Sequence, residues 1–389
     1  MPRPILLCTV GTSLIYPNLN GLRKTLAEDV TKPDDKKAIK PPLVPAADRL
    51  ATAYDAKDWA AVGAALSQFP TTERLLGAEV NSLTSLIAND YAPPDCGIYF
   101  FHSDTPDGRI IADVLVRLYT ARGHSPVAAV AVPDLQDQDA KRFRTKGLRN
   151  LAKLLCGKVR EHSADACAIN ATGGYKAQIA VAVLLGQALG IPVYYMHERF
   201  SEIIAFPPMP VALDYEVWMR MSGLLGVLER EAVPKDSVAD EWEEKAESLV
   251  DVTDIDGVEY LELSATGQIF HETFRQRFRS DRDQVLPPPA AAKKSPHFED
   301  AGWPGTFPAA VRFVQRVTDQ VPFVARCATH YYNPDLPEHT RFKPRRGGIE
   351  GVFSDGSRTV KFVVETTATT DGQRAATVAA LNEWLETTR

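Results

Sequence analysis

The chain has no apolar run approaching the ~20 residues that a membrane span needs. Its start, Met1-Pro2-Arg3-Pro4-Ile5-Leu6-Leu7, lacks a long apolar core followed by a small-residue cleavage site. No membrane partner is expected, and a cytoplasmic location is. Cysteine is also scarce: Cys8, Cys96, Cys156, Cys167 and Cys327 are odd in number, widely spread and form no C-x-x-C pair. That pattern excludes a disulfide framework and argues against a zinc site. Positive charge is in deficit, with 44 Lys and Arg against 50 Asp and Glu and a net charge of −6. A protein that coats nucleic acid through its overall field is thereby excluded, so any such site must be a local patch. Neither G-x-G-x-x-G nor G-x-x-x-x-G-K-[ST] occurs, so a redox dinucleotide or an ordinary nucleoside triphosphate is not indicated, and no cofactor is expected.

The first half alternates short apolar runs with polar Gly/Ser/Thr turns and amphipathic stretches. Strands are expected at Pro4-Ile5-Leu6-Leu7-Cys8-Thr9-Val10, Gly97-Ile98-Tyr99-Phe100-Phe101, Val127-Ala128-Ala129-Val130-Ala131-Val132, Ala166-Cys167-Ala168-Ile169-Asn170 and Val193-Tyr194-Tyr195-Met196. Continuously apolar strands separated by helices belong to a parallel sheet covered on both faces, a Rossmann-like α/β domain over residues 1–210. Residues 32–45 read as a surface excursion. Past Pro207-Pro208-Met209-Pro210 the pattern changes. Residues 211–285 carry a helix near 215–230, an acidic helix near 238–249, a hairpin turning at Asp256-Gly257, and a helix opened by Ser264. This order resembles a winged helix-turn-helix. Asp240, Glu241, Glu243, Glu244 and Glu247 would repel DNA from its second helix, which favours a hinge or dimer module over a DNA reader.

Residues 286–296 are Pro/Ala-rich and read as a linker. Residues 297–389 then form a third unit, α+β in pattern. A helix is expected over 307–317 and a short one over 323–332, followed by a hairpin of 349–354 and 358–366 around Asp355-Gly356-Ser357. A closing helix over 371–385 has Asp371 as its N-cap and Ala379, Leu381 and Leu385 on its buried side.

Two candidate sites emerge. Ligands in open parallel sheets collect at the carboxyl ends of the strands, where three loops stand: Gly11-Thr12-Ser13, then His102-Ser103-Asp104-Thr105, then Asn170-Ala171-Thr172-Gly173-Gly174-Tyr175-Lys176. In the last, two glycines let the backbone approach an anion, the following helix offers its positive end, and Lys176 adds a charge. Gly173 and Gly174 also fit a plain tight turn. The second site is a local reversal of charge. Between His339 and Lys361 stand Arg341, Lys343, Arg345, Arg346, Arg358 and Lys361 against Glu350 and Asp355. In an extended strand Arg341, Lys343 and Arg345 share a face, and clustered cations both hold a phosphate backbone and stabilise a phosphorane. A solvated basic hairpin is the bland alternative.

Val10-Gly11-Thr12-Ser13 paired with Asn170-Ala171-Thr172-Gly173-Gly174-Tyr175-Lys176 resembles the CRISPR-associated Rossmann-fold (CARF) sensor domains, over roughly residues 4–210. The resemblance implies a homodimer that binds cyclic oligoadenylate, commonly the tetra-adenylate, through Gly11, Thr12, Ser13, Ser103, Asp104, Asn170, Thr172, Gly173, Gly174 and Lys176. Residues 298–389 are similar in pattern to the RelE family of messenger-RNA interferases. That similarity implies a metal-independent endoribonuclease acting on mRNA in the ribosomal A site. Lys343, Arg345 and Arg346 would serve as phosphate-stabilising or proton-transferring groups, Arg358 as a transition-state clamp, and Lys361 as a further candidate. The family's late tyrosine has no equivalent after Lys361; Tyr331, Tyr332 and His339 are the available substitutes. Together the parts resemble the CRISPR-associated mRNA interferases, antiviral effectors that halt translation. Two rivals remain: a cyclic-oligoadenylate-responsive transcription regulator that binds DNA, and a small-molecule enzyme working in the N-terminal pocket.

Overall fold

A computed structural model describes residues 2–28, 39–197, 202–209, 213–299 and 303–388, without the side chains of residues 244 and 245. It divides into two compact units, Met1–Val211 and Ala212–Arg389. Among the described residues no helix is long and apolar enough to cross a membrane.

The first unit is a mostly parallel α/β sheet. Its elements are β1 (Ile5–Thr9), α1 (Asn20–Glu28), α2 (Val44–Asp55), α3 (Trp59–Leu66), α4 (Gly77–Ala88), β2 (Gly97–Ser103), α5 (Pro106–Ala121), β3 (Val127–Val132), a short α6 (Ala140–Arg142), α7 (Leu148–His162), β4 (Cys167–Asn170), α8 (Lys176–Leu189), β5 (Val193–Met196) and β6 (Ile203–Phe206). The strand order is β3-β2-β1-β4-β5-β6, with β6 antiparallel to β5 and the other neighbours parallel. The five expected strands are present. The sequence reading missed β6, whose Ile203-Ile204-Ala205-Phe206 is half-exposed at the sheet edge. β1 and β2 are buried along their whole length, which is why they read as unbroken apolar runs. Helix ends follow local chemistry: Thr105 Oγ1 accepts from Gly108 N at 3.1 Å to start α5, and Gly190, at φ 70°, stops α8. Residues 32–38 of the expected excursion lie outside the described residues; its end is a tight turn at Pro41–Leu43 leading directly into α2.

The second unit contains α9 (Tyr215–Leu228), β7 (Val233–Pro234), β8 (Val250–Ile255), β9 (Val258–Leu263), α10 (Ala265–Val285), α11 (Trp303–Thr306), α12 (Pro308–Gln320), β10 (Val324–Asn333), β11 (Arg341–Arg345), β12 (Gly348–Ser354), β13 (Thr359–Thr366) and α13 (Asp371–Thr387). β7-β9-β8 form a small sheet and β10-β13-β12-β11 an antiparallel one. The hairpin of β12 and β13 falls where expected, and Ser264 Oγ accepts from Gly267 N at 3.0 Å to open α10.

Four expectations change. The acidic segment is not one continuous α-helix but two short 3-10 helices, Lys235–Val238 and Glu244–Leu249. Like charges four residues apart weaken a helix there, and Asp240 and Glu241 are drawn to Lys343 and Arg341. The stretch read as a short helix over 323–332 is β10; its β-branched and aromatic residues fit a pleated surface better than a helix. Thr370, not Asp371, caps α13, accepting from Gln373 N at 3.2 Å. Finally, the Pro/Ala-rich run is stitched down: Ala290 N donates to Pro322 O at 3.0 Å, Lys294 N to Ala325 O at 2.9 Å, and Lys293 Nζ to Val321 O at 2.7 Å. Its prolines fix an extended path along which the amides of Ala290 and Lys294 find carbonyl partners.

The second unit has a continuous interior. Trp218, Leu224, Leu225 and Leu228 of α9 share a buried cluster with Phe270, Phe274 and Phe278 of α10 and Ala375, Ala376 and Ala379 of α13. α9 and α13 also grip β11. Asn382 Nδ2 donates to Phe342 O, and Asn382 Oδ1 accepts from Phe342 N, both at 2.9 Å. A Cβ on Gly223 would sit 2.5 Å from Phe342 O, so only glycine lets α9 approach this closely.

Candidate functional site

In the first unit β1 lies between β2 and β4. The chain builds outward from β1 through β2 to β3, then returns to β1's other side, so the topological switch falls between β1 and β4. The structure brings the Gly11 and Gly173 loops into direct contact there. A Cβ on Gly11 would lie 2.6 Å from Gly174 N, and one on Gly173 2.8 Å from Gly11 N. Gly174 sits at φ 98°, and Gln178 Oε1, which accepts from Tyr175 N at 2.5 Å, fills the space its side chain would need. These glycines therefore serve the packing of two loops as well as the turn into α8.

Many of the expected ligand contacts are engaged within the fold. Gly11 N donates to Glu79 Oε1 at 2.7 Å, and Ser13 Oγ donates to Glu79 Oε2 at 2.8 Å. Asn170 Nδ2 donates to Ser82 Oγ at 2.8 Å. Thr172 Oγ1 donates to Asn170 Oδ1 at 2.7 Å and accepts from Met196 N at 3.0 Å. Ser103 Oγ shares a bond with Thr105 Oγ1 at 2.8 Å, and exposed Asp104 pairs with Arg109 at 2.5 Å. Thr12 and Lys176 are exposed at the mouth. The sequence reading missed Glu79, whose carboxylate is buried at the centre of the crevice. Its signal was spacing: Leu76, Glu79, Val80, Leu83 and Leu86 form one apolar stripe of α4, and an acid on such a stripe needs buried donors.

In the second unit, α12 and α13 cover one face of the antiparallel sheet, where Phe313, Phe342, Phe362, Val364, Val378 and Leu381 pack together. The opposite face is polar. The register aligns Arg341 with Val352, Lys343 with Glu350, and Val352 with Lys361, so Arg341, Lys343 and Arg345 share that face as expected, and Lys361 joins them. They do not form a bare cationic surface. Glu241, 6% exposed, accepts from Arg341 Nε at 3.1 Å and stands 3.5 Å from Lys343 Nζ. Asp240 pairs with Lys343 at 2.7 Å. Glu338 pairs with Lys361 at 2.7 Å and with Arg341 at 3.3 Å. The reversal of charge read from the sequence is thus largely offset by Glu338, at the edge of the counted window, and by Asp240 and Glu241, far from it in the sequence. Burial opposes the charge on both Arg341 and Lys343, yet Glu241 and its neighbours hold their pKa values above the ordinary ones.

Toward the open end of the face, Glu350 is the hub. His330 Nε2 lies 3.0 Å from its Oε1, Lys343 Nζ 3.5 Å from its Oε2, and Arg345 Nη1 3.9 Å from its Oε1; Arg345 and Arg346 are exposed. Arg358 is not brought to this group. It precedes β13 in the turn, its guanidinium 4.1 Å from the Phe307 ring centre on the helix-covered side, bonded to Thr306 O at 3.1 Å and Asp355 Oδ2 at 2.7 Å. The backbone and side chain of Arg358 hold the Asp355 carboxyl well below the usual carboxylate range. His339 lies 3.2 Å from Glu231, and burial pushes its pKa down. Tyr332 stacks on Trp303 at 5.7 Å as a packing residue. Tyr331 is exposed, with Lys361 Nζ 5.4 Å from its ring centre. His330 carried no sequence signal; a β-bulge between Thr329 and Tyr331 directs it toward Glu350.

Residues 74–209 match the model of a CRISPR-associated protein family, Cas_APE2256. The matched stretch runs from the segment before α4 to β6 and so contains Glu79, the Asp104 loop and the Gly173-Gly174 turn. It supports a CRISPR-related role for the chain. No curated protein matches it.

Proposed function

We propose that this chain is an ancillary CRISPR effector whose first unit senses a cyclic oligoadenylate, of which the tetra-adenylate is the leading candidate, and whose second unit is a ribonuclease that cuts mRNA in the ribosomal A site. The observation that carries the first half is the turn Gly173-Gly174-Tyr175-Lys176, which opens α8 at the switch point of a parallel sheet, inside the stretch that matches a CRISPR-associated family. An anion there meets a helix N-terminus and an exposed lysine. A homodimer would set two such turns against a ligand with several phosphates.

The second half rests on the Glu350 hub. Cleavage through the RNA's own 2′-hydroxyl needs a base for that proton, charge to stabilise the phosphorane, and an acid for the 5′-oxygen. Glu350 and His330 offer a proton-transfer pair, while Arg345 and Arg346 supply cations around the phosphate. Lys343 acts through Glu350, because its ammonium is buried between that carboxylate and Asp240. Arg341 and Lys361 position the face, and Arg358 fixes its hairpin. No step requires a metal.

An unrestrained ribonuclease would poison its own cell, so the ligand is proposed to shift an inactive state to an active one. Going from ~1% to ~99% active takes about 5.5 kcal/mol of preference for the active state. The DNA-regulator reading is less favoured: the β8–β9 hairpin that would contact DNA carries Asp251, Asp254, Glu259 and Glu262. The test is cleavage of a labelled message on purified ribosomes, with and without cyclic tetra-adenylate, for wild type and Lys176→Ala. Ligand-dependent cleavage that Lys176→Ala impairs supports the reading; equal activity with and without ligands of every ring size refutes it.

A further inference from the structure

We propose that residues 134–147, between β3 and α7, form a cationic strap across the rim of the first unit's crevice and clamp the phosphates of its ligand. This rests on the reading of that crevice as a nucleotide site and adds a binding element that the sequence reading did not contain. The two glycine loops contribute little charge of their own: Gly11 N is committed to Glu79, and Lys176 is their one lysine. An oligonucleotide with several phosphates needs further cations, and the strap holds them.

Lys141, Arg142, Arg144 and Lys146 fall within six residues, and all four are exposed. The strap reaches the site because both its ends and its middle are fixed. Leu135 O accepts from Asp104 N at 3.1 Å, which joins its start to the loop after β2. Burial and the nearby Asp137 carboxylate raise the pKa of the Tyr175 hydroxyl. The Phe143 ring meets the Tyr175 ring edge to face, with centres 5.2 Å apart. Tyr175 lies between Gly174 and Lys176, so the strap abuts the turn that opens α8.

Local bonds make the strap rigid. Asp139 Oδ1 accepts from Arg142 N, and Lys141 O accepts from Thr145 Oγ1, each at 3.0 Å. Asn150 Nδ2 donates to Pro133 O at 2.9 Å, and a Cβ on Gly147 would sit 2.6 Å from Asp134 O. Arg142 is partly neutralised by Asp134 at 2.5 Å. Lys141 and Lys146 form no ion pair among the described residues, so their ammonium groups are the strap's available charges. At physiological salt, charges act over roughly 8 Å. Only cations beside the ligand therefore affect its affinity.

The experiment titrates cyclic tetra-adenylate into the full chain at several salt concentrations, for wild type, Lys141→Ala/Lys146→Ala and Lys176→Ala. Both lysines are exposed, so the double variant should melt like wild type. Its affinity should fall on the order of 10-fold, and the slope of log K against log[salt] should flatten by up to about 1.4, near 0.7 per lost phosphate contact. Lys141→Arg/Lys146→Arg should retain wild-type binding. If the double alanine variant keeps wild-type affinity and slope while Lys176→Ala weakens binding, the clamp is overturned and the sensor reading stands. If wild type binds neither cyclic tetra-adenylate nor rings of other size, the sensor reading fails and the clamp fails with it.

Discussion

Glu241→Gln tests whether Arg341 is part of the scaffold. The carboxylate and the guanidinium are 6% and 4% exposed, joined through Nε and Nη2, and Lys343 stands 3.5 Å away. Removing one partner of a buried pair costs about 3–5 kcal/mol, because the other charge is left without compensation. Glutamine keeps the shape and one acceptor, and Glu338 remains 3.3 Å from Arg341, so the lower end, about 3 kcal/mol, applies. With a urea m-value of about 2 kcal/mol/M, the unfolding midpoint should drop by about 1.5 M. Tryptophan fluorescence suits the assay, because Trp218, Trp242, Trp303 and Trp384 lie in the second unit and only Trp59 in the first. Glu241→Leu/Arg341→Leu should recover most of the loss, since a buried ion pair replaced by apolar residues is often neutral. A Glu241→Gln midpoint within about 0.2 M of wild type would refute the scaffold assignment and return Arg341 to the candidate contacts for RNA.

Three further outcomes are expected. Glu79→Ala removes a negative charge from a proposed anion site, yet it should weaken cyclic-nucleotide binding in a calorimetric titration and cost about 1–3 kcal/mol in stability, because Gly11 N and Ser13 Oγ lose their acceptor; tighter binding would mean the carboxylate only repels the ligand. Glu350→Gln and His330→Ala should each slow ribosome-dependent cleavage by 10²-fold or more, read at a temperature where both variants are folded, and a rate within about threefold of wild type for both would exclude the pair from the chemistry. Burial alone would raise the Glu229 carboxyl, but His271 and Arg275 reverse this and bring it down from 4.5 to about 2. A depressed acid stabilises the fold above its unfolded pKa and loses that contribution as pH falls through its folded value, so the unfolding free energy from urea titrations should decline between about pH 4.5 and 2, by on the order of 3 kcal/mol, and Glu229→Gln should flatten that decline.

What was legible in the sequence followed from local chemistry. The five core strands of the first unit announce themselves because both faces of a parallel sheet are buried, and the β12–β13 hairpin because Asp355-Gly356 sits between alternating runs. β10 was misread since Val324-Ala325-Arg326-Cys327 fits either period over so short a span, and only pairing with β13 decides it. The acidic segment was misread for a tertiary reason: Asp240 and Glu241 serve cations a hundred residues further on. The same long-range pairing explains why the charged stretch between His339 and Lys361 was visible while its neutralisation was not. Strand alternation correctly grouped Arg341, Lys343 and Arg345. Arg358 could not be separated from them by alternation, because it stands in the turn rather than in β13. Glu79 and His330 contact their loops only through the fold, and no spacing rule pairs Glu79 with Gly11 or His330 with Glu350.

The most direct measurement of the central claim is primer extension on messages bound to purified ribosomes, comparing reactions with and without cyclic tetra-adenylate. The account predicts new 5′ ends within the A-site codon, appearing only with ligand and lost in Arg345→Ala/Glu350→Gln. Ligand that binds tightly but produces no new ends, or ends that form equally without it, would contradict the claim.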